Sequence, residues 1–340
     1  MDAEAARRQL ELAREAGIGL NGPESNAWLQ RLDQGHDERD QAFAWFLEHD
    51  PQQGLEIADA LLGYWNTRGL YEEGRRWADS LLAKAPERTL ARARALYGAG
   101  VLAFRQGDTE RTRALTEESL AIAREVRDPA AIVLGLAGLS RVGLREGDYA
   151  RVKELSREGL EIAERQGDRQ MGRLPLHCLA EATRLDGDYP GARALYQQSL
   201  ALNRELGRED TIAVELGNLG SVELHEGNLE QARGYWEETV RVTHARGDMY
   251  VLPYAIAGLG ELAVARSDWQ RAATLLAAAE SLFQASGAVM DPADVAPYDA
   301  AVAATHSGLP GDGFTSAWAR GRSIDREAAV RTALGERVSV

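Results

Sequence analysis

Four arginines in the first half of the chain are the residues whose type and spacing could do chemistry. Arg141 and Arg145 are four residues apart, so a helix would place them on one face, one turn apart. Arg94 and Arg105 lie nearer the N-terminus, and Arg105 precedes Arg145 by 40 residues. Guanidinium groups in this arrangement could bind a carboxylate or a phosphate through two parallel hydrogen bonds. Arginines near helix ends also offset the helix dipole, and this plainer interpretation stays open.

A histidine and a glutamate in the middle of the chain form a second candidate group. His177 and Glu181 are four residues apart, so on a helix they could meet, hold a ligand or move a proton. An ordinary surface hydrogen bond is the simpler interpretation. Pro175 is predicted to interrupt this helix about two turns in and to free the carbonyl of Met171. Cys178 is expected to be a small buried hydrophobic residue.

The common catalytic and metal motifs are absent from the sequence. His225-Glu226 begins like a zinc-protease motif, but Leu229 stands where the second histidine is needed. A single cysteine can form neither an internal disulfide nor a thiolate zinc site. We therefore predict no metal, no cofactor and no catalytic residue. His177 and Glu181 are the catalytic pair only if the chain is an enzyme.

Composition excludes several function classes. The chain has 340 residues, 44% of them hydrophobic and 27% charged, which is typical of a folded protein with a large core. Its formal net charge of −14 would repel a nucleic-acid backbone. No apolar run approaches the roughly 18 residues of a membrane span, and no secretory signal is seen. We expect no direct nucleic-acid binding, no membrane insertion and a cytoplasmic location.

Two sets of short turns repeat along the chain and indicate how the candidate residues are positioned. The first set recurs every 40 residues, as Gly107-Asp108, Gly147-Asp148, Gly187-Asp188, Gly227-Asn228 and Ser267-Asp268. The second set lies halfway between them, as Arg127-Asp128, Gly167-Asp168, Gly207-Arg208, Gly247-Asp248 and Gly287-Ala288. A left-handed residue ends one helix, and the Asp or Asn that follows caps the next. The unit is therefore a pair of helices joined by tight turns.

This periodicity predicts an all-α, right-handed helical-repeat solenoid of about six helix pairs, with non-repeat helices at both ends. Small residues share one position of each first helix, where the partner helix would approach closely: Gly100, Ser140, Ala180, Gly220 and Gly260. We assign residues 1–50 to N-terminal capping helices, 51–290 to the repeat array and 291–340 to C-terminal capping helices. The aperiodic stretches at 21–23 and 285–297 are expected to be mobile joints.

The array resembles tetratricopeptide repeats. The first-helix positions that carry the resemblance are the apolar rows Leu96/Leu136/Leu176/Leu216/Ile256 and Ala99/Leu139/Leu179/Leu219/Leu259, together with the row of small residues. The stretches 28–82 and 314–334 are similar to the start and the end of the repeat region in LuxR-type and nucleotide-binding signalling regulators. No phosphate-binding loop is present, and the six residues after Leu334 are too few for a helix-turn-helix. The resemblance implies an excised sensor region or a free-standing relative.

In such an array the first helices line a concave face, where residues one repeat apart lie side by side. The inward positions change residue type from repeat to repeat, as expected where a ligand is the partner. The predicted binding residues are Arg94, Tyr97, Arg105, Arg141, Arg145, His177, Glu181, Arg184, Ser221, His225, Tyr254 and Glu261.

The resulting hypothesis is a sensor module that binds a peptide, a protein segment or a small metabolite in the groove, in signalling or transcriptional regulation. The first alternative is an enzyme or biosynthetic helper that encloses a small substrate, with His177, Glu181 and His225 as proton carriers. The second is a passive scaffold for other proteins. The oligomeric state stays open.

Overall fold

The computed structural model of this protein describes residues 1–336, which form nineteen α-helices and no strand. Six helices precede the regular array: α1 (Ala3–Gly19), α2 (Ser25–Gln34), α3 (His36–His49), α4 (Pro51–Ala60), α5 (Leu62–Arg68) and α6 (Tyr71–Lys84). The first helix of the earliest repeat is broken at Leu61 into α4 and α5, and α6 is its partner. This irregular copy is the first of six helix pairs.

Five regular helix pairs follow. They are α7 (Leu90–Arg105) with α8 (Thr109–Val126), α9 (Pro129–Glu146) with α10 (Tyr149–Gln166), α11 (Arg173–Leu185) with α12 (Tyr189–Glu205), α13 (Glu209–His225) with α14 (Leu229–Arg246), and α15 (Val251–Ala265) with α16 (Trp269–Ser286). Three further helices complete the described chain: α17 (Pro292–Gly308), α18 (Gly313–Ser323) and α19 (Arg326–Leu334). The predicted all-α solenoid of about six helix pairs is confirmed.

The turn residues adopt the left-handed conformation that the sequence predicts. Even the two positions without glycine, Arg127 and Ser267, have a φ of 57°. The aspartates that follow most turns accept a hydrogen bond from the first turn of the next helix, as Asp148 does from the amide of Arg151 at 3.1 Å. Asn228 differs from the prediction, because its amide donates instead to the buried carboxylate of Glu223 at 2.7 Å.

Small residues allow close helix packing around Trp236. A Cβ atom on Gly258 would lie 2.3 Å from the indole, and one on Gly220 would lie 2.8 Å from it. Both glycines belong to first helices, and Trp236 comes from the second helix α14 between them. The backbone approach predicted for Gly220 is therefore real, and a larger side chain there would separate the helices.

The prediction for Pro175 was wrong. Helix α11 begins at Arg173, and residues 169–172 form turns, so the proline lies in the first turn. Amide groups of a first turn have no acceptor inside their helix, and the missing N–H therefore costs no helical hydrogen bond.

The coil closes on itself. Turns near residues 207, 247 and 287 contact the N-terminal helices and the end of α7, so the later part of the array rests on the earlier part. The amide of Met249 donates to the carbonyl of Thr67 at 2.8 Å, and that of Val289 to the carbonyl of Arg105 at 2.8 Å. Arg246 donates to the hydroxyl of Ser25 at 2.6 Å. These contacts join early and late parts of the coil around the space that an open solenoid would leave as a groove.

Candidate functional site

A cavity of about 1240 Å³ lies in the centre of the coil. Its walls come mainly from the first helices α7, α9, α11, α13 and α15, with α17 and the N-terminal helices at its ends. All twelve predicted binding residues lie on this wall: Arg94, Tyr97, Arg105, Arg141, Arg145, His177, Glu181, Arg184, Ser221, His225, Tyr254 and Glu261. The inward face was therefore predicted correctly, and a binding role for these residues stays a prediction.

The charge of the cavity differs from that of the whole chain. Eight arginines and eight carboxylate residues line it, whereas the chain has 39 basic and 53 acidic residues. Burial raises the pKa of Glu261 to about 7, with Asp294 adding to the shift and Arg184 opposing it. Burial likewise raises the pKa of Asp294 to about 6, against the opposing charge of Arg184. The interior is thus less acidic than the outer surface.

His177 is held between two carboxylates. Its Nε2 lies 3.1 Å from Glu181 Oε2, and its Nδ1 lies 3.2 Å from Glu215 Oε1. Burial disfavours the imidazolium, but the carboxylates of Glu215 and Glu181 outweigh that effect and raise the pKa of His177 well above its usual value. Burial opposes ionisation of Glu181, yet His177 and Arg184 lower its pKa to about 2. His177 is therefore a cation that is paired with the carboxylate anions of Glu181 and Glu215.

Glu215 is a site residue that the sequence analysis missed. It is fully buried, and the hydroxyl of Ser199 donates to it at 2.7 Å. The available signal was a glutamate among apolar residues of a helix, in the stretch Thr211–Leu219. A fully buried carboxylate needs a positive partner, and His177 is the one that the structure provides.

The connection between α16 and α17 enters the cavity. Although this stretch was expected to be a mobile joint, several helices anchor it. Asp291 contacts the guanidinium of Arg145 at 2.8 Å, and its amide donates to the hydroxyl of Tyr254 at 3.0 Å. Asp294 lies 4.0 Å from Arg184. We call residues 287–297 the inner segment, and it supplies carboxylates to arginines of α9 and α11.

Most arginines of the cavity have protein partners. Arg145 also donates to the carbonyl of Phe104 at 2.9 Å, and only 6% of its side chain is exposed. Arg184 donates to Glu181 and to the hydroxyl of Tyr196, both at 3.3 Å. Arg105 donates to Asn66 at 2.9 Å and lies 3.4 Å from the ring centre of Tyr250. These three side chains are fixed before any ligand arrives.

Arg141 and Arg173 differ from these arginines because neither forms an ion pair with a carboxylate of the described chain. Arg141 donates to the hydroxyl of Tyr97 at 3.1 Å, and no carboxylate of residues 1–336 forms an ion pair with it. Arg173 donates to Thr211 at 3.0 Å and to Asn203 at 3.4 Å, again without an ion pair in the described chain. Burial and the nearby charge of Arg208 lower the pKa of Arg173 to about 10. The wall therefore carries two cations that form no ion pair in residues 1–336, and at Arg173 the more distant carboxylates of Asp210 and Glu215 offset part of the charge.

The remaining predicted residues form less polar parts of the wall. His225 stacks on Tyr189 with ring centres 3.7 Å apart. Ser221 donates to the carbonyl of Gly217 at 3.3 Å, within its own helix. Arg94 lies 4.0 Å from Asp59. Cys178 is 1% exposed, and burial raises the pKa of its thiol, as expected for a packing residue.

One group outside the cavity has metal-ligand residue types. His36, Asp40 and Glu73 are the grouping of this kind in residues 1–336. Both carboxylates already accept hydrogen bonds from tryptophans, Asp40 from Trp77 at 3.0 Å and Glu73 from Trp65 at 3.1 Å. We therefore assign this group to packing. Of the helices in the described part of the chain, none has the length and apolar character to cross a membrane.

Comparison with known proteins gives a result at the level of the fold. No protein-family profile and no curated protein sequence matches the chain. In structure it is similar to a signal transduction ATPase with numerous domains that has a tetratricopeptide repeat sensor, from Pyrococcus horikoshii. The two are 14% identical with a TM-score of 0.55, over 89% of this chain and 50% of that protein. This chain thus spans half the length of that protein.

A second similar structure is that of a Rap protein complexed with competence and sporulation factor. It is 13% identical with a TM-score of 0.53, over 94% of this chain and 100% of that one. Identities this low indicate shared architecture only. The fold is a tetratricopeptide-like helical-repeat solenoid. Its cavity corresponds to the concave face that the sequence periodicity predicts.

Proposed function

We propose that this protein is a recognition module that takes a peptide or a small metabolite into its central cavity, in a signalling role. The observation that carries the proposal is the central cavity of about 1240 Å³ with a charged, non-uniform wall. Ligand sites typically occupy about 300–1,000 Å³, so this space suits a short peptide or a large metabolite. The two similar structures, one with a repeat sensor and one bound to a factor, fit such a role.

Binding would use side chains that are already fixed. Ion pairs hold His177, Glu181, Arg145 and Arg184 in one geometry, so little ordering entropy is lost when a ligand enters. The contacts between the later turns and the N-terminal helices, such as that of Met249 with Thr67, hold the coil around the cavity. A change in those contacts on binding would carry the signal to a partner protein.

An enzymatic role rests on the 3.1 Å contact of His177 with Glu181 inside the cavity. The surroundings speak against proton transfer. Both imidazole nitrogens face carboxylates, so the raised pKa of His177 keeps the ring as a cation that cannot act as a base. We therefore favour binding over catalysis.

Native mass spectrometry of the protein from its source organism tests the proposal, with Gly217→Leu as the decisive variant. A Cβ atom at Gly217 meets only Thr239, at 3.9 Å, and Gly217 lines the cavity, so we expect the larger side chain to fill part of the cavity. Gly234→Leu, on an exposed face of α14 with no atom within 4 Å, is the matched control.

We expect a bound peptide or metabolite mass with the wild type and with Gly234→Leu, and its loss with Gly217→Leu. A ligand that remains bound to folded Gly217→Leu would contradict the proposal. Wild type that carries only partner proteins would favour the scaffold alternative. Circular dichroism checks that both variants are folded.

A further inference from the structure

Two arginines of the cavity wall without an ion pair in residues 1–336 identify a specific part of the binding site. Of the eight arginines there, Arg14, Arg94, Arg145, Arg184 and Arg208 each have a carboxylate within 4.0 Å. Arg105 has the amide oxygen of Asn66 and the face of Tyr250. Arg141 and Arg173 are the two without a carboxylate within 4.0 Å in residues 1–336.

The position of Arg173 is electrostatically unfavourable. It is the first residue of α11 and only 8% exposed, so a positive charge lies at the positive end of a helix dipole. Its Nε is buried without a hydrogen-bond partner. Arg208, at the start of α13, adds a second positive charge nearby, which the carboxylates of Asp210 and Glu215 offset in part. An anion here would relieve each of these costs.

Tyr97 links the two arginines. Its hydroxyl accepts the hydrogen bond from Arg141, and Tyr97, Arg141 and Arg173 all line the same cavity. In the described chain the hydroxyl proton of Tyr97 has no acceptor, although the side chain is only 5% exposed. Two guanidinium groups and one hydroxyl donor therefore face the same space. This donor set matches the two oxygens of a carboxylate.

The inner segment shows which anion this wall accommodates. One helical turn beyond Arg141, Arg145 binds the carboxylate of Asp291 at 2.8 Å, and Arg184 of α11 lies 4.0 Å from that of Asp294. The protein's own chain thus places carboxylates on neighbouring arginines of α9 and α11. A ligand carboxylate would bind in the same way to Arg141 and Arg173, which the inner segment does not contact.

We infer that Arg141, Arg173 and the hydroxyl of Tyr97 form a subsite for a carboxylate group of the ligand. This inference rests on the proposed function and adds the chemical class of the ligand. The carboxylate comes either from a peptide or from a small organic acid.

Thermal unfolding with defined probes tests the subsite. N-acetyl-triglycine and N-acetyl-triglycinamide differ only in the terminal carboxylate, and succinate represents a small organic acid. At constant ionic strength, the melting temperature of the wild type should rise with the concentration of a carboxylate probe and not with that of the amide. The acid that acts at the lower concentration identifies the peptide or the metabolite as the source.

Arg141→Met should weaken the apparent affinity for the carboxylate probe at least about tenfold, since a hydrogen bond to a charged group is lost. Arg141→Lys should restore part of it. Arg124→Met, which removes an exposed ion pair of 2.9 Å with Glu158, is the control and should respond as the wild type does. Arg141→Met should not lower the melting temperature of the empty protein, which separates binding from a structural role.

Three results would overturn the inference: no response of the wild type to either acid, an equal response to the amide, or a wild-type response in Arg141→Met. The two proposals can fail separately. If Gly217→Leu loses the natural ligand while Arg141→Met retains it at wild-type affinity, the carboxylate subsite is wrong and the recognition function stands.

Discussion

Two parts of one wall use the same residue type for opposite purposes. Where the inner segment covers the wall, Arg145 and Arg184 have carboxylate partners, whereas Arg141 and Arg173 on the uncovered part have none. Arg141 and Arg145 are separated by a single helical turn. The difference shows that the role of a cavity arginine depends on whether a carboxylate of the protein pairs with it. Its position within the repeat does not determine that role. Stability should therefore depend on the covered part and affinity on the uncovered part.

The largest effect is expected for the fully paired centre of the wall. His177→Ala removes the partner of Glu215, which is 0% exposed, and should lower the free energy of unfolding by about 3–5 kcal/mol. Urea denaturation measures the loss. The double variant His177→Ala/Glu215→Gln should recover part of it, because no buried charge is then unpaired. A loss in the free energy of unfolding below about 1 kcal/mol would indicate that Glu215 is in contact with water.

The ion pair with His177 also has a defined pH dependence. The folded-state pKa of His177 lies above its unfolded value, so the stabilisation is complete below about pH 6.5 and disappears as the pH rises through the folded-state pKa. The difference in stability between the wild type and His177→Ala should therefore shrink at high pH.

The next largest effect concerns the covered part. Arg145→Met leaves Asp291 half-buried and without its cation, and should cost about 2–3 kcal/mol. Hydrogen exchange should accelerate at the amides of Val289 and Asp291, which donate to Arg105 and Tyr254. Protection within α13 should be unchanged. If exchange of the inner segment stays slow, Arg145 does not anchor it.

A smaller effect of opposite sign is expected at Glu261. Its pKa is raised to about 7 by burial, so the folded protein holds this proton more tightly than the unfolded chain and loses stability between about pH 4.5 and 7. Glu261→Gln should stabilise the protein by about 1–2 kcal/mol at pH 8 and change little at pH 4. Glu117→Gln, exposed on α8, is the control. Equal effects at both pH values would contradict the assignment.

The smallest effect on stability is expected for the uncovered part. Arg141→Met should change the free energy of unfolding by less than about 0.5 kcal/mol, because no protein carboxylate loses a partner. Parallel urea titrations of Arg141→Met and Arg145→Met measure the contrast between neighbouring turns of α9. Equal losses in the two variants would remove the distinction between the covered and the uncovered part.

Local signals in the sequence were sufficient to predict much of the structure of this molecule. The 40-residue period predicted the turns, and helical geometry then predicted which residues face the cavity. Arg141, His177 and Tyr254 do lie on the cavity wall. Contacts between distant repeats leave no such periodic trace. The pairing of His177 with Glu215 and the path of the inner segment depend on how the whole coil closes. Pro175 was misplaced because the start of α11 is set by its turn and not by the repeat.

The closure of the coil also determines how the protein should unfold. In an open solenoid each repeat contacts only its neighbours, so the terminal repeats fray first and unfolding spreads inward. Here Thr67 and Arg105 contact residues about 180 positions later, Met249 and Val289, so early and late repeats stabilise one another. Loss of either side removes contacts from the other. The array should therefore unfold in one cooperative transition, as a globular domain does.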